Sequence, residues 1–136
     1  MPGREQMRAA VEMTQGMTAY AWPNALLQHA LPDLEQLSID IAHLQRKRDR
    51  LVAALREMGY ALHVPEGTFY LLPRSPEADD MAFIGRLAAH NVFCLPGTVV
   101  ELPGYFRVSL TANDDMIERA LPGFAAARDE ALAHSG

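Results

Sequence analysis

Lysine is almost missing from this sequence: of 12 basic residues only Lys47 is a lysine, and the other eleven are arginines. Any chemistry that needs a lysine therefore uses Lys47 or does without one. Cysteine is equally scarce. The single Cys94 excludes an intramolecular disulfide, and within the run VFCLP it reads as a small core residue. Its local sequence supplies neither a base nor an electropositive neighbour to make it a nucleophile. No run of about 18 apolar residues occurs, and no charged-then-apolar leader follows Met1, so the expectation is a cytoplasmic protein without a membrane partner. Positive charge is also in deficit. The net charge of −5 argues against nucleic acid or an anionic bilayer as partner, since both attract a basic surface.

Several catalytic patterns are missing too. The five histidines (His29, His43, His63, His90 and His134) show no HExxH spacing and fall in separate segments, so no metal site is expected. There is no GxSxG elbow, dinucleotide fingerprint or P-loop; Gly97 and Gly104 are too far apart and have no lysine nearby. The paired carboxylates, Asp79-Asp80 and Asp114-Asp115, stand at helix starts, where capping and the helix dipole account for them.

What is present suffices for one globular core: 136 residues, of which 49% are hydrophobic. Residues 2 to 21 pattern as a helix with Met7, Ala10, Val11 and Thr14 on one stripe, weakened at Gly16. A break at Trp22-Pro23-Asn24 precedes a second helix, with Pro23 in its first turn and Pro32 at its end. From Leu37 the spacing of Leu37, Ile41, Leu44, Leu51, Leu55 and Met58 predicts a long helix, capped by Ser38 or Asp33 and stopped at Gly59. At about 1.5 Å per residue it would be on the order of 30 Å long. The run Arg46, Lys47, Arg48, Asp49, Arg50 on it reads as a solvated face in preference to a phosphate patch.

ALHVPEGTFYLLP then reads as two β segments around a Pro65-Glu66-Gly67 turn. A helix capped at Asp79-Asp80 follows, with Phe83, Ile84, Leu87 and Ala88 on one side and its end near His90-Asn91. Val92 to Leu95 reads as a strand, Tyr105 to Leu110 as another. The last helix is capped by Asn113, buries Ile117, Leu121, Phe124 and Leu132, and is expected to kink at Pro122. The fold class is α+β: a small, mostly antiparallel sheet covered by helices, with a long helix leading into it.

Within the second of those strands, alternation sends Phe106, Val108 and Leu110 one way and Tyr105, Arg107 and Ser109 the other. A cation in mid-strand is either an edge-strand charge that discourages aggregation or a fixed fork for a carboxylate or phosphate. Strand chemistry leaves both readings open.

The run PEGTFYLLP at 65 to 73, VFCLPG at 92 to 97 and GYFRVSL at 104 to 110, followed by a capped amphipathic helix, resembles the small C-terminal domain of class I/II aminotransferases, pyridoxal-phosphate enzymes of fold type I. MPGREQMRAAVEMTQ and AWPNALLQHAL resemble the segment that follows the cofactor lysine. The resemblance implies two parts, 1–36 as helices like the end of the large domain and 37–136 as the small domain. It implies that Arg107 pairs with the α-carboxylate of an amino-acid or keto-acid substrate, and that residues 67–70 lie near the active site. No catalytic or cofactor-binding residue is carried over. Lys47 does not stand in the family's lysine motif, so pyridoxal phosphate belongs to full-length members, and this portion is expected neither to hold it nor to transaminate alone. The alternative is a non-catalytic small domain that associates with itself or with a partner through the helices at 4–20 and 38–58.

Overall fold

The structure, a computed structural model, describes residues 3–18, 24–35 and 37–134. The helix start at Pro2 and the break at Trp22-Pro23 lie outside them. The chain divides into two compact units, Met1–Ile39 and Asp40–Gly136.

In the first unit, α1 (Arg4–Met17) and α2 (Ala25–Leu34) bury no residue, and the stripe of Met7 and Val11 is exposed. Asn24 caps α2, its Oδ1 accepting from the N–H groups of Leu26 and Leu27. The helix does not stop at Pro32 but runs on to Leu34. Proline there removes one backbone donor, while the next turn still closes through Glu35 N–H to Leu31 O at 2.9 Å.

The second unit begins with α3 (Ile41–Glu57). It starts later than the apolar spacing indicates, because Asp40, and neither Ser38 nor Asp33, accepts from the third N–H of the helix (His43, 2.8 Å). Leu37 stays outside it, and its 17 residues make a helix of about 26 Å. At its far end Gly59 has φ of 88°; Tyr60 N–H returns to Leu55 O and Gly59 N–H to Arg56 O, so the orphan carbonyls are satisfied by a left-handed cap. Leu51, Val52, Ala54 and Leu55 are buried, so the core side of α3 lies in its second half, where Ala53, Arg56 and Glu57 still face outward; no residue of its first half is buried.

The strands are shorter than their sequence patterns. β1 is only Tyr70–Leu71, and the segment before the Pro65 turn joins it through one bridge, Leu62 to Pro73, plus Arg74 N–H to Ala61 O. Pro65 and Pro73 have no N–H to extend a ladder. α4 (Asp80–Ala89) ends with Asn91 in a left-handed conformation, and Val92 N–H is spent on Leu87 O. The expected strand at 92–95 therefore starts late, as β2 (Leu95–Pro96). A 3-10 turn over Gly97–Val100 leads towards β3 (Phe106–Ser109). The sheet is antiparallel, in the order β1-β3-β2, with Tyr70 opposite Ser109 and Leu95 opposite Arg107.

α5 (Asp114–His134) closes the unit; Asn113 Oδ1 accepts from Met116 N–H at 2.8 Å. It runs through Pro122, and its buried side is completed by Ala127 and Ala131, while Leu132 is 46% exposed. α3 and α4 both pack on α5. Between them and the sheet Tyr60, Phe83, Phe106 and Phe124 form an aromatic cluster with Phe83 and Phe106 centred 5.2 Å apart. The Tyr60 hydroxyl donates to Phe124 O at 2.8 Å, and burial raises its pKa above the ordinary tyrosine value.

Candidate functional site

β3 is the central strand of three, which removes the edge-strand explanation for Arg107. The alternation along it holds: Phe106, Val108 and Leu110 are buried, and Tyr105, Arg107 and Ser109 are partly exposed on the face away from the helices. Tyr70 opposes Ser109, so on that face it is the diagonal neighbour of Arg107. The guanidinium carbon lies 4.2 Å from the centre of the Tyr70 ring. Stacking uses the face of the guanidinium and leaves its N–H edge available. No hydrogen bond or ion pair satisfies that edge among the described residues, whereas Arg8, Arg50 and Arg86 pair with Glu12, Glu118 and Glu77.

Arg107 and Tyr70 line a cavity of about 320 Å³ walled by Leu72, Val100 and Leu102, with His63 at its margin. Its volume is at the lower end of the range of small-molecule sites. Of the segment expected nearby, Thr68 and Tyr70 reach the cavity lining, and Gly67 and Phe69 do not. Among the described residues, two of the three non-glycine residues with positive φ flank the cavity: Thr68 (69°) in the lining, and Glu101 (58°) between Val100 and Leu102. Conformations this uncommon persist where surrounding contacts hold them, and they concentrate at binding sites.

Asp80 was legible only as half of a capping pair. Asp79 does the capping, its Oδ1 accepting from Met81 and Ala82 N–H. The Asp80 side chain turns inward, is 2% exposed, and accepts from Thr98 N–H (2.8 Å), Thr98 Oγ1 (2.7 Å) and Gly104 N–H (3.3 Å). Burial works against the charged form, but the Thr98, Gly104 and Met81 hydrogen bonds outweigh it and hold the carboxyl below its ordinary value. A buried carboxylate at a helix start gives no sequence signal of its own; Thr98 two residues after VFCLP was the nearest clue.

The basic run on α3 is not simply a solvated face. Lys47 Nζ donates to Ala112 O at 2.7 Å, Arg48 reaches Pro65 O at 3.2 Å, and Arg50 grips both oxygens of Glu118 at 2.8 and 2.7 Å. The cluster straps α3 to the Pro65 turn and the start of α5. Cys94 packs partly buried against the core, and burial pushes its thiol up to about 12, so it is not poised to attack. Among the described residues no group of three histidine, cysteine or acidic side chains could hold a metal ion, and no helix is long and apolar enough to cross a membrane.

The family model described as aminotransferase class I and II matches residues 8–124. The LL-diaminopimelate aminotransferase of Oleidesulfovibrio alaskensis is 37% identical over 101 residues, which are 71% of this chain and 26% of that protein. Among solved structures, an amino transferase from Eubacterium rectale superposes with a TM-score of 0.83 at 25% identity, covering 90% of this chain and 31% of that one. The aspartate aminotransferase of Thermotoga maritima gives 0.79 at 25% identity, covering 90% of this chain and 33% of that one. The chain thus spans about a quarter of the length of the curated relatives it matches.

Proposed function

The chain belongs to the class I and II aminotransferases, and from that premise we propose that it carries the carboxylate-binding arginine, Arg107, of an amino-acid aminotransferase whose cofactor chemistry lies in other sequence. The observation that carries the reading is a central-strand guanidinium stacked on Tyr70, its N–H edge unpaired among the described residues, at an apolar cavity.

Two parallel N–H donors match the two oxygens of a carboxylate, a geometry that lysine cannot offer. Tyr70 holds the plane of the fork, so little rotamer freedom remains to be lost when a ligand arrives. Leu72, Val100 and Leu102, each still more than a third exposed, give the site apolar walls beside the guanidinium. The relatives are named for diaminopimelate and aspartate, which share an α-amino carboxylate.

In aminotransferases pyridoxal phosphate supplies the electron sink. The residues here do not fit it: the one lysine donates its Nζ to Ala112 O on another side of the unit, and no lysine lines the Arg107 cavity. By this reading the chain binds carboxylate and performs no cofactor step alone. The test is to mix it with pyridoxal phosphate and an amino acid and to titrate the amino acid by NMR. The expected result is weak amino-acid binding that Arg107→Ala abolishes, with no visible aldimine absorbance and no keto acid. Turnover would overturn the claim of inactivity, and equal binding by the parent and Arg107→Ala would overturn the carboxylate site.

A further inference from the structure

We propose that Asp80 is a positioning residue for the Arg107 cavity: from the start of α4 its carboxylate holds the 97–104 loop so that Val100 and Leu102 stand as the cavity wall. This inference rests on the carboxylate reading of Arg107.

Asp80 accepts three hydrogen bonds from Thr98 and Gly104, close to the two ends of that loop, and Val100 and Leu102 lie between them. Capping does not require the arrangement, since Asp79 already serves the first turn of α4. A carboxylate is not buried without donors to meet it, and here, besides the Met81 N–H of its own helix, the donors come from one loop. The loop has little slack. Gly97 N–H bonds to Tyr105 O and Leu102 N–H to Gly97 O, and a Cβ on Gly97 would lie 2.1 Å from Leu102 O. Glu101, at φ of 58°, is an uncommon conformation for a residue with a side chain and needs such contacts to hold it. At the far end Gly104 leads directly into β3, so the same carboxylate also sets where the strand bearing Arg107 begins.

Asn at this position keeps the shape of the side chain but places an amide N–H₂ against backbone donors, so Asp80→Asn loosens the loop without opening a cavity. The whole chain is titrated by NMR with two probes. Acetate touches only the guanidinium fork; 3-phenylpropionate must also fit against the Val100 and Leu102 wall. Asp80→Asn is expected to weaken 3-phenylpropionate about tenfold while acetate stays within about twofold, as misplacement of one wall implies. Thr98→Val removes only the hydroxyl donor and is expected to move the same ratio less, which keeps the test open if Asp80→Asn does not fold. A purely structural Asp80 would lower the melting temperature and leave the ratio of the two probes unchanged; that result overturns the positioning role. If Arg107→Ala binds both probes as the parent does, the carboxylate reading fails and this inference with it. Loss of both probes in Arg107→Ala beside an unchanged ratio in Asp80→Asn overturns the positioning role alone.

Discussion

On one face of β3, Phe106, Val108 and Leu110 are sealed against the aromatic cluster and the helices; on the other, Tyr105, Arg107 and Ser109 are partly exposed, and Arg107 makes a single stacking contact with Tyr70. Neighbouring residues on one short strand are thus held for opposite reasons. The first face is tied to its surroundings by apolar burial, which has no direction and no preferred partner. On the second the Ser109 hydroxyl is engaged with Thr111, but the N–H edge of Arg107 stays unpaired among the described residues, and that makes it a place where a ligand can be recognised. A third of a nanometre along the chain changes a residue's role from stability to binding.

The comparison makes graded demands. The largest effect is expected from Phe106→Ala, which empties the centre of the cluster and should cost about 3–5 kcal/mol, measured by chemical denaturation. A loss below 1 kcal/mol would mean that the buried face is not where stability resides. Next is the acid limb of stability. The folded Asp80 carboxyl titrates below its unfolded value, so its contribution is present above about pH 4 and is lost as pH falls through the folded value. Asp80→Asn should cost about 1–3 kcal/mol near neutrality and flatten that acid limb; an unchanged limb would place the acid sensitivity elsewhere. The smallest stability effect belongs to Arg107→Ala, expected within about 0.5 kcal/mol because it removes a partly exposed stacking contact while carboxylate binding disappears. If Arg107→Ala destabilises as Phe106→Ala does, the two faces are not different in kind.

Much of this architecture can be read along the chain, and the exceptions share a cause. The β3 alternation, the Gly59 stop, the Asn113 cap and the Ile117, Leu121 and Phe124 side of α5 all follow from local rules. Asp80 does not, because its partners Thr98 and Gly104 are brought to it by the fold. The basic run on α3 reads as solvated because Ala112 O, Pro65 O and Glu118 come from distant sequence. The strands at 61–64 and 92–95 are apolar enough, yet prolines and a helix cap use up or remove the N–H groups that a ladder needs. Similarly, α1 and α2 have amphipathic patterns but bury no residue, since pattern gives a helix a face without supplying what covers it.

For Arg107, sequence alone determined the residue type, its place in mid-strand and the face it shares with Tyr105 and Ser109, because side-chain alternation is a property of the backbone. Family resemblance suggested a ligand for it. Only the tertiary structure decided that its strand is central, that Tyr70 lies beneath it, and that Val100 and Leu102 line a cavity beside it. Pairing order and loop placement depend on contacts between distant residues, which spacing along the chain does not encode.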